Sequence, residues 1–386
     1  MKVVIILPTY NEKDNIERLI PILEQDIFPK IKNHDMSILV ADDNSPDGTG
    51  MVVKRFMKKW DNIALSSGEK QGLGAALVRG MTYAMKNLNA DILFGMDADF
   101  FHDPKKIPIF LEKIEQGHDM AIGTRYSNGG SIPANWGLHR KVFSIVGNLL
   151  VRTILMRFRI HDWTGGFRAI KKEVFLKERN EMISFKGYTF QVAFLHKAVR
   201  DGFRVAEVPF AAHDRTLGRS KIAPLEYITN LLKYVITARF HEVLHSSFLK
   251  YAITGLVGYA INAITLEVLF KNGMHPSAAG AIGGELAIIW NFSMNNFWSF
   301  KKHRITKPLK FLLKFPQFNL VALGSLVMIS AVLGIGTHYY GESSRQILLI
   351  FAIIFFVIPY SYTMYNVFIW KRWRVSFLAK LQEKVG

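Results

Sequence analysis

Acidic side chains are concentrated in one short stretch, MDADFFHDP, which runs from Met96 to Pro104. Asp97 and Asp99 lie one residue apart behind an apolar run, and Asp103 follows them. Carboxylate oxygens suit Mg2+ or Mn2+, which proteins often bind through one or two carboxylates plus substrate phosphates. A nucleoside diphosphate needs such an ion as it leaves, because its charge then grows. By themselves the two residues also fit a cap or a turn, so the surrounding elements have to decide.

Residues 1–223 predict the elements that would hold these carboxylates. Short β-rich runs alternate with helical stretches near 11–25, 74–86 and 105–116, which indicates an α/β domain with a largely parallel sheet. The predicted strands are VVIIL, SILVAD, ADILFGMD, DMAIGTRY and RVAEVPF. Ligands bind at the carboxyl ends of such strands. The polar clusters PTYNE, DDNSPDGT and DADFFHD each follow a strand, so we expect them to meet in one crevice.

The second half of the chain predicts a membrane region. Four apolar segments, near 249–270, 277–298, 315–339 and 347–370, each approach the roughly 20 residues needed to cross a bilayer. The second is the least apolar, because it contains Glu285, Asn291, Asn295 and Asn296. Basic stretches follow the second and fourth segments, KKHRITKPLK and KRWR. By the positive-inside rule both stretches are cytoplasmic, and so are the N-terminal domain and the C-terminus.

The charge of the chain agrees with a membrane partner. The sequence has 49 Lys and Arg against 31 Asp and Glu, a net charge of +18, and no Cys. Disulfides and thiolate metal sites are therefore excluded. Much of the positive charge lies in the loops of the membrane region, so we expect a lipid bilayer as the partner. We expect no binding of nucleic acid, which is the minor alternative interpretation of the charge. The N-terminal run MKVVIILPTYNE breaks at Pro8 and predicts a first strand, not a signal peptide.

Two further segments, 136–159 and 224–247, mix apolar residues at helical spacing with Arg, Lys and His. Helices that cover a core have the same pattern, but beside four spans a helix lying in the membrane interface is favoured. The predicted organisation is a transferase domain at 1–223 that includes the helix at 136–159, an interfacial helix at 224–247, a four-helix transmembrane domain at 248–372 and a cytoplasmic tail at 373–386.

Five stretches in order carry a family resemblance: PTYNEKDN at 8–15, DDNSPDGT at 42–49, DADFFHDP at 97–104, IGTRY at 122–126 and RTLGRSK at 215–221. Together they resemble the inverting glycosyltransferases of the GT-A fold that charge a polyprenyl phosphate with a sugar, in particular the dolichyl-phosphate mannose synthase group. The membrane region resembles the four-span module fused to some prokaryotic members. The resemblance implies a Rossmann-like GT-A domain, GDP-mannose as donor, dolichyl or another polyprenyl phosphate as acceptor, and Mg2+ or Mn2+ as cofactor.

The resemblance also implies roles for individual residues. Asp97 and Asp99 would bind the metal and the diphosphate, and with Arg125 they form the predicted catalytic set. Arg125 and Arg140 would bind the acceptor phosphate. The predicted nucleotide-sugar contacts are Pro8, Tyr10, Glu12, Asp42, Asp43, Asp97, Ala98, Asp99, Arg215 and Lys221. The family often has Gln two residues after the second Asp of this motif, whereas this chain has Phe101; His102 and Asp103 are the nearest polar replacements.

Three other functions remain open from the sequence. A related enzyme would use UDP-glucose as donor. A processive polysaccharide synthase is less favoured, because such enzymes carry Q-x-x-R-W and the stretch IWKRW has Ile369 in place of Gln. A lipid-linked-sugar translocator with a nucleotide-binding domain would not need the carboxylates and the cations together.

Overall fold

A computed structural model describes residues 1–182, 187, 189–214 and 224–373. The chain divides into two compact units, Met1–Arg239 and Phe240–Gly386. Arg215 and Lys221, both predicted to bind the donor, lie outside the described residues.

The first unit is built on a seven-stranded sheet with the order β3-β2-β1-β4-β6-β5-β7. The strands are β1 Lys2–Thr9, β2 Asp35–Asp42, β3 Ile63–Ser67, β4 Ile92–Gly95, β5 Met120–Thr124, β6 Arg168–Lys171 and β7 Val205–Pro209. Apart from β6, neighbouring strands pair in parallel, as predicted. Strands β3 and β6 were not predicted, and β6 runs antiparallel to both β4 and β5. The loop that enters β6 therefore lies at the same edge as the ends of β4 and β5.

Helices cover both faces of this sheet, and apolar side chains fill the space on each side. They are α1 Lys13–Ile22, α2 Thr49–Met57, α3 Leu73–Leu88, α4 Ile107–Glu115, α5 Leu138–Leu155, α6 Lys172–Met182, α7 Thr189–Arg200 and the first part of α8 Pro224–Leu244. The three helices predicted from periodicity are α1, α3 and α4. The interior strands are apolar on both faces, for example in β1, because each face packs against helices.

Helices α5 and α8 are the two segments predicted to lie in the membrane interface. Helix α5 buries Asn148, Val151 and Leu155 against the first unit and exposes large apolar side chains on its other face. These exposed residues are Leu138, Val142, Phe143, Ile145, Val146, Leu149 and Leu150. Helix α8 packs Leu231 and Val235 into the core. Each helix thus has one face in the protein core, and the interfacial location stays a prediction.

The second unit is helical in its described part. It consists of α9 Ser247–Lys271, α10 Pro276–Met294, α11 Pro308–Tyr340, α12 Arg345–Ala352 and α13 Ile358–Met364, with π-helical turns at Asn295–Ser299, Ile353–Val357 and Tyr365–Ile369. Three candidate spans among the described residues are long and apolar enough to cross a bilayer: Ser247–Lys271, Pro308–Tyr340 and Glu342–Ile369. The second predicted span forms α10, whose composition does not qualify it, so four spans are not confirmed.

Helix α10 nevertheless packs closely along α9. Thr254 Oγ1 lies 3.4 Å from Ser299 Oγ. A Cβ atom added at Gly258 would come within 2.6 Å of Asn291 Oδ1, and one added at Gly283 within 2.6 Å of Asn262 Oδ1. Small residues at such contacts let two helix backbones approach, as they do in membrane bundles. The contacts run in opposite chain directions, so α9 and α10 form an antiparallel pair.

Candidate active site

The acidic motif follows β4 and holds its two carboxylates in different environments. Asp99 is buried and its Oδ1 accepts the Phe101 backbone N–H at 3.2 Å. The Asp97 side chain is 37% exposed, so it can meet a ligand. Directly after Asp99 the chain turns sharply at Phe100, whose φ of 61° is unusual for a bulky residue. Strained backbone of this kind is concentrated at functional sites.

His102 fixes the position of Asp97. The buried imidazole stacks on Phe167, with ring centroids 4.7 Å apart and planes 7° from parallel. Its Nδ1 accepts the Asp97 backbone N–H at 3.0 Å, which places the ring proton on Nε2, 3.9 Å from Asp97 Oδ2. Asp103 Oδ1 accepts the Lys105 N–H at 3.0 Å and caps a short helical turn. His102 thus contacts the backbone of the acidic motif, and Asp103 contacts the turn that follows it.

The two carboxylates fit a hard divalent cation. Within the described ranges there is no group of three or more His, Asp or Glu side chains arranged for a metal. A pair of carboxylates completed by substrate phosphates is how Mg2+ is usually held. The backbone also comes close here, because a Cβ atom added at Gly166 would lie 3.7 Å from Asp97 Oδ1 and 3.3 Å from Gln191 Nε2.

Arg125 follows β5 and is buried against Asp162. Its Nε donates to Asp162 Oδ2 at 2.7 Å and its Nη2 donates to Asp162 Oδ1 at 2.8 Å and to Thr164 Oγ1 at 2.8 Å. Burial opposes the charge on both groups, but the attraction between them dominates, so the pKa of Asp162 is lowered and the pKa of Arg125 is raised. These bonds use the Nε and Nη2 side of the guanidinium and leave Nη1 to contact an anion.

The loop that carries Asp162 is held from several sides. Glu207 on β7 accepts the backbone N–H of His161 at 2.6 Å and that of Asp162 at 3.3 Å. Asn148 Oδ1 on α5 accepts the Trp163 N–H at 2.8 Å. Sequence reasoning missed Asp162, Asn148 and Glu207, since no local motif marks them. They lie far from Arg125 along the chain. Prediction of strand β6, which the loop enters, could have indicated that they meet.

A second buried arginine supports the same loop. Arg168 donates to the Trp163 carbonyl at 2.9 Å and to the Gln191 carbonyl at 2.6 Å. Burial lowers the pKa of Arg168 to about 9, although attraction to Asp162 opposes that change. One carboxylate therefore faces two buried guanidinium groups.

The predicted nucleotide residues lie at the ends of β1 and β2. Asp42 is buried and accepts from Thr9 Oγ1 at 2.9 Å and from the Ser45 N–H at 2.9 Å. Asp43 Oδ1 pairs with Arg79 Nη2 at 2.8 Å. Arg79 is a further residue that the motifs did not indicate.

The other predicted contacts of the nucleotide sugar lie at or after the ends of β1 and β4. Tyr10 lies under Lys70, whose Nζ is 3.6 Å from the ring centroid. Glu12 accepts from Asn15 Nδ2 at 2.7 Å, and Pro8 pairs within β1. Ala98 packs its methyl group into the core, so a ligand could meet only its backbone.

Arg140 lies in the first turn of α5, away from a strand end. Its Cζ is 3.8 Å from the Trp136 ring centroid and its Nη1 is 3.7 Å from Asp214 Oδ1. Arg125 Cζ lies 5.8 Å from the ring of Phe101, which stacks on Trp136. The two stacked rings thus connect the acidic motif with both predicted acceptor arginines.

Comparisons with known proteins identify both regions of the chain. Residues 4–178 match Glycosyl transferase family 2, and residues 250–370 match the GtrA/DPMS transmembrane domain. The chain is 32% identical to the dolichol-phosphate mannosyltransferase of Pyrococcus furiosus over 92% of its own length and 97% of the relative's. It is 35% identical to the polyprenol monophosphomannose synthase of Mycolicibacterium smegmatis over 58% of its own length and 81% of the relative's.

Among solved structures, the chain is similar to glucosyl-3-phosphoglycerate synthase from Mycobacterium tuberculosis, crystallised with Mn2+, UDP and glucosyl-3-phosphoglycerate. The identity is 18%, the match covers 62% of this chain and 79% of that one, and the TM-score is 0.44. That similarity is too distant to assign a ligand or a residue role. The first unit is a mixed α/β glycosyltransferase domain, and a helical membrane region follows it.

Proposed function

Since the chain belongs to the dolichol-phosphate mannosyltransferase family, within Glycosyl transferase family 2, we propose that it transfers mannose from GDP-mannose to dolichyl phosphate or another polyprenyl phosphate. The observation that carries the proposal is the match to the Pyrococcus enzyme across both units. The acidic and basic side chains at the sheet edge support the proposal. The donor diphosphate and the acceptor phosphate are both anions, so they need a metal ion held by carboxylates and arginine side chains.

We propose that Asp97 and Asp99 hold Mg2+ or Mn2+ together with the diphosphate. The ion would supply positive charge to the leaving diphosphate. Asp97 contributes an exposed carboxylate for this, while Asp99 is fixed by the turn that it caps. His102 keeps Asp97 in place through the backbone bond at Nδ1.

The reaction needs no general base among the side chains. A polyprenyl phosphate is already an anion at neutral pH, so its oxygen attacks the anomeric carbon directly, and a single displacement inverts the configuration. Two unit charges 4 Å apart repel by about 4 kcal/mol at an effective dielectric constant near 20. Preorganised cations that offset this repulsion are therefore worth more than a base. Arg125, oriented by Asp162, and Arg140 at the start of α5 are the residues that we assign to the acceptor phosphate.

We further propose that the first unit and the C-terminus are cytoplasmic. A basic stretch at 301–310 follows the pair α9 and α10, and Lys371 with Arg372 follow the last helical segments. Loops rich in Lys and Arg are cytoplasmic by the positive-inside rule. This orientation needs α10 to cross the membrane. Its antiparallel packing along α9 supports a crossing despite its lower hydropathy.

Transfer of a radiolabelled sugar tests the function. Purified protein with a short polyprenyl phosphate should use GDP-mannose in preference to UDP-glucose and should give a β-linked product. Asp97→Asn and Asp99→Asn should each lower transfer about 1,000-fold or more, since two or three orders of magnitude are typical for one electrostatic group in a transition state and a metal ion contributes at least as much.

Asp103→Asn is the matched control, because its Oδ1 only accepts a backbone N–H and an amide oxygen can do the same. It should transfer sugar at nearly the normal rate. Preference for UDP-glucose would reject the donor, and full activity of both Asn variants at the acidic pair would reject the role of the carboxylates.

A further inference from the structure

Phe101 lies at the centre of an aromatic cluster beside the acidic pair. Its ring is stacked on Trp136, with centroids 6.0 Å apart and planes 15° from parallel. It also meets the edges of His102 and Phe210 at 5.4 Å and 6.4 Å. Aromatic pairs at these separations attract each other beyond the effect of their buried area. A side chain without an aromatic ring could not form these ring contacts.

Trp136 connects this cluster to Arg140. Its Nε1 donates to Asp214 Oδ1 at 3.2 Å, and Asn135 Nδ2 donates to Asp214 Oδ2 at 2.9 Å. Arg140 lies over the indole ring and also faces Asp214. The contacts that hold the segment 133–140 therefore include the Asp214 carboxylate and the ring stack with Phe101. A change at the stack moves the surface on which the Arg140 guanidinium lies.

The other side of Phe101 is fixed by the acidic motif. Its backbone N–H is bound by Asp99 Oδ1, and the left-handed turn at Phe100 sets the direction of the ring. Arg125 lies over the same ring. Phe101 thus contacts Asp99 through its backbone. Its ring contacts Arg125 and Trp136, and Trp136 lies in the segment that carries Arg140.

We propose that Phe101 is a positioning residue, which couples the carboxylate turn to the segment 133–140 and so sets where Arg140 meets the acceptor phosphate. The proposal rests on the proposed function for the identity of the acceptor. It assigns to the Phe101 side chain an action through Trp136 on the acceptor, and a phenyl ring contributes no ligand to the metal. The nucleotide residues Asp42, Asp43 and Tyr10 lie outside this chain of contacts. The bond to Asp99 is made by the Phe101 backbone, which a side-chain substitution retains.

Acceptor kinetics provide the first test. Phe101→Leu keeps an apolar side chain but removes the ring, and it should raise the KM for polyprenyl phosphate about 2- to 12-fold, the range expected for one aromatic pair. The KM for the nucleotide sugar and the affinity for Mn2+ measured by calorimetry should stay unchanged. Phe101→Tyr restores the ring and should restore the acceptor KM. Phe56→Leu is the matched control, because Phe56 also packs on a tryptophan, Trp60, at 5.5 Å but lies outside the crevice.

A nitroxide label tests the coupling without any catalysis. The chain has no Cys, so Ala134→Cys gives a single exposed attachment site within the segment. The spin-label spectrum should become more mobile with Phe101→Leu and should return to its original form with Phe101→Tyr.

The two measurements separate the proposals. Absence of transfer by the unmodified chain would reject the proposed function, while the label spectra would still decide the coupling. Identical spectra for the Leu and Tyr variants would overturn the inference. So would a mobile label with an unchanged acceptor KM, because the coupling would then not reach Arg140.

Discussion

At the scale of single residues, the interior pair of Arg125 and Asp162 decides whether the crevice keeps its shape. Asp162 also accepts the N–H groups of Thr164 and Gly165 at 3.2 Å each, so it shapes the loop as well as the arginine. Removing one partner of a buried pair leaves the other charge without compensation, which typically costs about 3–5 kcal/mol. The loop lies against Asp97, so loss of the pair would reach the acidic motif too.

Asp162→Asn should therefore destabilise the protein by about 3–5 kcal/mol at neutral pH. The pKa of Asp162 is lower in the folded chain than in the unfolded one, so its stabilisation is present above about pH 4 and is lost as the pH falls through the folded value. Thermal unfolding in detergent should show a large difference between the two proteins at pH 7 and a smaller one near pH 2.

The control for this experiment is Asp91→Asn. Asp91 pairs with Lys172 at 2.7 Å, but both side chains are about 40% exposed, so solvent screens the pair. Its loss should change the unfolding temperature far less. Equal effects of the two substitutions would contradict the account of Asp162.

At the scale of elements, α5 combines a buried polar contact with an exposed apolar face. Its Asn148 supports the loop of Asp162, while Phe143 and Leu149 on the other face are 64% and 54% exposed. Contiguous apolar surface of this kind marks an interaction site. Insertion of the face into the interface of the bilayer would bring Arg140, in the first turn of the helix, to the level of lipid phosphates.

A fluorophore on Phe143→Cys should accordingly be quenched by lipids that carry a spin label near the head group, after reconstitution into vesicles. Burial of each methylene contributes about 0.8 kcal/mol, so the apolar face of α5 favours the lipid. Met51→Cys on α2 is the control, since Met51 is a large apolar residue with 74% exposure outside this face. Equal quenching at both positions would argue against an interfacial α5.

At the scale of the whole molecule, the number of crossings sets the topology. In the part of the chain that the structure describes, three helices satisfy the length and composition of a span, and α10 depends on its packing against α9. If α10 crosses, Gly273 between α9 and α10 and Lys307 before α11 lie on opposite sides of the membrane. If it does not, the two positions lie on the same side.

Cysteines introduced singly at Gly273 and Lys307 should thus be labelled by an impermeant reagent from opposite sides. The sequence contains no Cys, so each label reports one position. Labelling of both from one side would reject the four-crossing topology and, with it, the shared cytoplasmic location of the first unit and the C-terminus.

The sequence by itself determined the features that depend on neighbours along the chain. Strand periodicity and the polar residues that follow each strand predicted the α/β sheet and the crevice at its edge, and the family comparison confirms the glycosyltransferase. Asp97, Asp99 and Arg125 were predicted as site residues because a strand end fixes where its next residues lie. The spans around α9, α11 and the last helices were found because hydropathy over about 20 residues is also a local property.

Only the tertiary structure decided which distant groups meet. Asp162 is 37 residues from Arg125, and Glu207 is 46 residues from His161; each pair forms because β6 enters the sheet antiparallel between β4 and β5. The contact of Trp136 with Phe101 likewise joins distant parts of the chain, a loop before α5 and the end of β4. Side-chain pairing across such separations depends on strand order and loop path, and neither quantity is encoded in any short stretch of the chain.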